Sequence, residues 1–135
     1  MLKTKSRINH RSDLLYPDLS YKIVGILFEV YNELGHGHPE KTYQKAIAVA
    51  LKKEGLKFKE QLYVPIKFKN ERVGSVFLDF LIEDKLVLEI KKGDYFVKSH
   101  IEQVYQYLVS NKYQLGILAY FTPRTVHFKR IVNLI

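Results

Sequence analysis

Phe77-Leu-Asp79-Phe-Leu-Ile-Glu-Asp-Lys-Leu-Val-Leu-Glu89-Ile-Lys91 decides how this chain is read. Residues 77–82 and 86–90 are near-continuous apolar runs, the pattern of strands covered on both faces, and Glu83-Asp84-Lys85 between them is a polar turn. A three-residue loop there sets Asp79 directly opposite Glu89. Side chains alternate along a strand, so Lys91 falls on the face of Glu89. Two carboxylates and one ammonium thus converge on one spot of a largely apolar sheet. Burying unpaired charge is expensive, so the cluster calls for a reason.

Outward from this hairpin, strands are expected over 58–68, 72–82 and 85–92, with Asn70-Glu71 as the first turn. Pro65 marks the first of them as an edge strand or a bulged one. A helix follows over 99–111, and 115–121 reads as a further buried strand. Residues 125–132 fit either a last strand or a short helix. Upstream, Ile23, Ile26, Leu27, Val30, Tyr31 and Leu34 recur at helical spacing after Asp18 or Ser20, both good N-caps, and stop at Gly35. Gly35-His-Gly-His-Pro39 is a loop, and Pro39 suits the first turn of a second helix. That helix carries Tyr43, Ala46, Ile47, Ala50 and Leu51 inward and ends at Gly55. Residues 1–17, with Lys3, Lys5, Arg7, His10 and Arg11, read as a basic arm, leaving 18–135 as a single domain.

At 135 residues and 47% hydrophobic, the chain has material for one core and is too ordinary in charge to be disordered. A formal net charge of +8 suits a polyanionic partner, because clustered Lys and Arg release counterions from phosphates; a well-solvated basic surface is the plain alternative. The absence of cysteine removes disulfides, Cys-ligated zinc, iron–sulfur clusters and thiol nucleophiles, and fits a reducing compartment. No run of eighteen apolar residues is present and the polar first twelve residues lack the core of a signal peptide, so the default is a cytoplasmic protein without a membrane partner.

Asp79 followed ten residues later by Glu89-Ile-Lys91 resembles the signature of the PD-(D/E)XK nuclease superfamily. Gly37-His-Pro-Glu40-Lys-Thr-Tyr43 matches the motif that names its GxxExxY family. The resemblance runs from about Tyr21 to Asn133 and includes Gln103-Val-Tyr-Gln-Tyr107-Leu108, Leu115-Gly116-Ile-Leu and Lys129-Arg130-Ile-Val-Asn133. It implies an α/β, restriction-endonuclease-like core: a central mixed sheet of four to five strands flanked by helices. The implied activity is divalent-metal-dependent hydrolysis of phosphodiester bonds in DNA, in repair or on a particular DNA structure. One departure stands out, since family members often carry Asn-Phe where this chain has Tyr120-Phe121-Thr-Pro.

Phosphodiester hydrolysis needs an ion that neutralises the phosphate and lowers the pKa of the attacking water, and hard Mg²⁺ or Mn²⁺ prefers carboxylate and carbonyl oxygens. By the resemblance, Asp79, Glu89 and the backbone carbonyl of Ile90 hold the metal. Lys91 then orients or deprotonates the water and stabilises charge on the phosphate. Glu40 shares a helical face with Tyr43 and Ile47, which aims it at the core side; an acid on this early helix can reach the metal in the related nucleases, so the resemblance implies a further ligand, direct or through water, with a dipole-complementing glutamate as the alternative. Gln103 occupies the position of a catalytic-site glutamine, with Tyr107 beside it on one helix face. Tyr43 is a packing residue or second hydrogen-bonding layer. Lys92, Lys98, Lys129 and Arg130 are candidates for phosphate contacts. The histidines lack zinc-ligand spacing. A nucleic-acid-binding or regulatory protein with an inactive nuclease fold is the rival from another class, and a purely structural ion cluster is a second. Retention of all three charged residues favours activity, and so small a nuclease calls for a homodimer or a partner protein to supply specificity.

Overall fold

In a computed structural model describing residues 15–134, these periodicities resolve into helices α1 (Pro17–Leu34), α2 (Glu40–Lys53) and α3 (Lys98–Asn111). The strands are β1 (Phe58–Phe68), β2 (Glu71–Ile82), β3 (Leu86–Lys92), β4 (Leu115–Phe121) and β5 (Val126–Val132). They form one mixed sheet in the order β1-β2-β3-β4-β5. Only β3 and β4 run parallel, and α3 makes the crossover between them.

Strand alternation sorts the core into two layers. Leu86, Leu88 and Ile90 of β3, with Leu115, Ile117 and Ala119 of β4, pack under Ile23, Leu27 and Val30 of α1 and Tyr43, Ile47 and Leu51 of α2. Val87 and Leu118 face the other way, against Val104 and Leu108 of α3. Each fully buried aliphatic side chain contributes about 1.5–3 kcal/mol by leaving water, which is why continuous apolar runs end up covered on both sides. Gly116 is needed here: a Cβ on it would stand 2.6 Å from Val104 Cγ1, so α3 rests on bare backbone.

The structure decides three local expectations, overturning the first. Helix α1 begins at Pro17, and Tyr16 stands at its N-cap position without a side-chain cap; Asp18 lies in the first turn, where its charge complements the helix dipole. Ser20 is no cap but is buried inside the helix, its hydroxyl without a hydrogen-bond partner among the described residues. Residues 125–132 resolve as a strand, because Val126–Val132 pairs in full register with β4. Pro65 falls as expected on the edge strand, one residue before a register shift between Ile66 and Lys67. Residues 1–14 of the expected basic arm lie outside the described residues, while Leu15 and Tyr16 pack against the core. No helix among the described residues is long and apolar enough to cross a membrane.

Candidate active site

The hairpin β2–β3 is closed by a turn in which Glu83 and Asp84 both take positive φ, 54° each, and Lys85 N–H donates to the Ile82 carbonyl at 3.0 Å. Its ladder then runs for three pairs, Ile82↔Leu86, Leu81↔Val87 and Phe80↔Leu88, and stops. At the next rung stand Asp79 and Glu89, opposite each other as the loop length requires. Here side chains take over from backbone carbonyls. Asp79 N–H donates to Glu89 Oε1 at 3.0 Å, and Ile90 N–H donates to Asp79 Oδ2 at 2.7 Å. The strands fork at this rung, with a carboxylate filling the gap from each side.

Neighbouring strands show the same break. Gln61, which would face Asp79 from β1, has φ 57° and is skipped in the pairing, which resumes at Leu62↔Leu78. On β2 the alternation slips, so that Leu78 and Leu81, three residues apart, both join the α3-side core. Asp79 can therefore be approached from the α2 side, where Gln44 Nε2 donates to its Oδ1 at 2.8 Å. Glu89 keeps the α3-side orientation of Val87, and Lys91 Nζ lies 3.4 Å from its Oε2.

Asp79 and Glu89 are 5% and 3% exposed. Burial pushes the Glu89 carboxyl up to about 8, and the charge of Asp79 pushes the same way while Lys91 opposes it. Asp79 is also raised by burial, against the pull of the Ile90 N–H, Glu89 and Lys91. Two desolvated acids side by side are short of positive charge, the condition that a bound cation relieves. Hard oxygens and upward-shifted acids are the chemistry that suits a divalent ion of the Mg²⁺ or Mn²⁺ type, and Asp79 and Glu89 are the side chains that could hold one. Among the described residues no group of three acidic or histidine side chains is gathered to hold an ion. Glu40 stands next to the pair rather than in it: its Oε2 accepts from Lys92 N–H at 3.1 Å, just past Lys91 on β3.

The segment from Gly37 to Tyr43 has its own structural account. Gly37 takes φ +96°, and the hydroxyl of fully buried Tyr43 donates to the Gly35 carbonyl at 2.5 Å while accepting from His38 N–H at 3.3 Å. Tyr43 thereby fixes the α1–α2 loop, and that loop sets the start of the helix on which Glu40 and Gln44 ride.

From the opposite layer, α3 brings a residue that sequence reading passed over. Val97 N–H donates to the Tyr120 hydroxyl at 3.1 Å, and the same hydroxyl shares a short hydrogen bond with His100 Nδ1. With the Tyr120 hydroxyl as donor to Nδ1, the neutral imidazole would carry its proton on Nε2. Burial lowers the His100 pKa first, the charge of Lys91 adds to that, and Glu40 opposes. Tyr120 pairs with Lys91 across the β3–β4 ladder, which puts His100 at the rim of the acid cluster. The spacing from His100 to Gln103 was its available signal, as the step from Glu40 to Gln44 was for the glutamine.

The other expected residues divide. Gln103 is half-buried on α3, three residues beyond His100, and its side chain makes no hydrogen bond among the described residues. Tyr107 lies toward the far end of α3, stacked on Tyr113, whose hydroxyl donates to Asp84 at 2.6 Å; it belongs to the turn end of the hairpin rather than to the acids. Lys129 sits over the Phe96 ring and Arg130 near the Phe128 ring, consecutive residues that alternate across β5. Lys98 is exposed and 3.8 Å from Glu102, and Lys92 is exposed beside Glu40.

A forked mixed sheet between helical layers, with two buried acids and a lysine at the fork, defines an α/β domain of the restriction-endonuclease-like class. The model of the PD-(D/E)XK nuclease superfamily matches residues 17–131, and the chain belongs to that superfamily, whose members are generally nucleases. A solved structure, SSO0001, is similar with a TM-score of 0.53 at 18% identity, over 71% of this chain and 52% of its own. That likeness speaks for the fold, and the chain spans about half the length of SSO0001. No curated protein matches the sequence.

Proposed function

We propose that this chain is a divalent-metal-dependent nuclease of the GxxExxY branch that hydrolyses phosphodiester bonds in DNA. The carrying observation is the fork, where two desolvated carboxylates with upward-shifted pKa values stand beside a quarter-exposed lysine. Mg²⁺ or Mn²⁺, when bound by Asp79, Glu89 and the Ile90 carbonyl, supplies charge neutralisation of the phosphate and a more acidic water. Lys91 reaches from Glu89 toward solvent, so its ammonium can orient that water and contact the scissile phosphate. Glu40 acts from one shell further out, through water or the Lys92 backbone. His100 offers Nε2–H as a neutral donor to a phosphate oxygen.

Cleavage of a panel of linear duplex, single strand, branched junction and RNA, in Mg²⁺ or Mn²⁺, tests this with wild type and Lys91→Ala side by side. Cutting by wild type alone is the expected result. Cutting by neither ends the nuclease reading under those conditions.

One observation favours a second reading. All four oxygens of Asp79 and Glu89 are already engaged, by Gln44, two backbone N–H groups and Lys91, as in a structural cluster. A thermal melt decides between them: a ligand that binds only the folded state raises stability by mass action. Stabilisation by millimolar Mn²⁺ that vanishes in Asp79→Ala supports the metal site, and no stabilisation supports the cluster.

A further inference from the structure

Beyond Phe80, β2 pairs only with β1 among the described residues, and the two continue as a ribbon to the turn at Lys69 and Asn70. Its root is held to the α3-side core by Leu62, Val64 and Leu78. Past Pro65 the ribbon packs on little. Phe68 and Val73 are 63% and 64% exposed, and Ile66, Lys67, Lys69, Glu71 and Arg72 are exposed with them. Lys69 and Asn70 both take positive φ, 51° and 67°, the geometry of a tight hairpin turn that keeps the tip narrow. Lys67, Lys69 and Arg72 make no ion pair among the described residues, while Lys69 Nζ sits 5.5 Å over the Phe68 ring.

We infer that this ribbon is a duplex-DNA-binding arm that enters the major groove and anchors the substrate away from the acids, an inference that rests on the nucleic-acid part of the proposed function. Three cations against one anion, on a two-stranded element exposed on both faces, suit a polyanion. The major groove of B-form DNA, roughly 12 Å wide, admits a two-stranded ribbon, whereas that of A-form RNA is too narrow for side chains to read. A second copy of the chain is the poorer occupant. Tip-to-tip pairing brings like charges together, and the bulge after Ile66 with Pro65 and Lys67 on the edge guards β1 against strand addition. Nine residues separate Asp79 from Asn70, a span of about 30 Å at roughly 3.4 Å per strand residue, or about nine base pairs.

The test is fluorescence anisotropy in EDTA with a labelled DNA duplex of about twenty base pairs, twice the reach of the arm. Wild type is compared with the triple variant Lys67→Ser, Lys69→Ser, Arg72→Ser, and with Phe68→Ala. The triple variant is expected to bind at least ten-fold more weakly, with the slope of log K against log salt shallower by about 2 to 3, near 0.9 per lost phosphate contact. Phe68→Ala is expected to weaken binding without changing the slope. An RNA duplex of equal length is expected to bind at least ten-fold more weakly than DNA. Unchanged melting temperatures confirm that the exposed tip tolerates the changes. An unaltered slope and affinity overturn the arm, as does absence of wild-type binding in EDTA. Loss of binding that tracks dissociation of a dimer in light scattering also overturns it, in favour of self-association. Cleavage by the triple variant at wild-type kcat/KM sinks the arm alone, and arm-dependent binding without any cleavage in Mg²⁺ or Mn²⁺ sinks the nuclease reading alone.

Discussion

Strand β3 has two flanks that behave differently. Toward β4 it holds seven consecutive pairs, from Leu86↔Leu115 to Lys92↔Phe121, whereas toward β2 it holds three before the fork. The same seven residues therefore build an uninterrupted parallel ladder on one edge and an interrupted antiparallel one on the other. What differs is the partner: β4 offers backbone and uncharged side chains throughout, while β2 offers a carboxylate at position 79. The acid cluster sits where the backbone ladder gives way, and the continuous ladder keeps the gap in place.

The strongest way to break this comparison is at the fork. Asp79→Ala is expected to reduce cleavage by more than about 10³-fold, and to destabilise the fold by about 1–3 kcal/mol because the buried Ile90 N–H loses its acceptor. Lys91→Ala is expected to cost about 10²–10³-fold in rate with little change in melting temperature, since Lys91 supports no backbone group. Comparable destabilisation by both changes would contradict the division of labour.

The continuous side is tested by Gly116→Ala, which drives a methyl into Val104 and is expected to cost about 1–3 kcal/mol while leaving the rate of the folded fraction intact. Chemical denaturation with activity measured on folded protein checks both halves.

The pH dependence sharpens the contrast further. Glu89 in the folded chain titrates near 8, above its ordinary value of 4.5, so between those values the folded chain binds more protons than the unfolded one. Stability in EDTA is therefore expected to fall as pH rises from about 5 to about 8.5, read as a falling Tm. Glu89→Gln is expected to flatten the profile. A Tm that rises over that window would reverse the assignment.

The smallest expected effect is at His100, where His100→Ala lowers the rate by about ten-fold through loss of a donor, with Tm unchanged. Tyr120→Phe is expected to lower it less, because the imidazole stays and loses only its orienting partner.

Much of this architecture was legible because its signals are local. The loop length between 82 and 86 fixes Asp79 opposite Glu89, and strand alternation fixes Lys91 beside Glu89. Helix periodicity and Pro65 did the same for α1, α2 and the edge strand. What escaped depends on neighbours far away in the chain. Residues 125–132 are a strand because β4 is there to pair with. His100 joins the site through Tyr120, twenty residues on, and Gln44 through Asp79, thirty-five residues on. Tyr107 shares a helix face with Gln103, but a fourteen-residue helix crosses the sheet from the acids to the opposite end of the hairpin, so one face serves two places.

The carboxylates of Asp79 and Glu89 cap each other's strands as well as facing the site, and this sets the order in which a descendant could lose its trade. Selection for folding alone would retain both acids, since each accepts a backbone N–H that nothing else reaches. Lys91 carries no such duty. In lineages where the reaction has lapsed, the lysine is the position expected to drift first, and its identity is the better record of an ancestor still cutting.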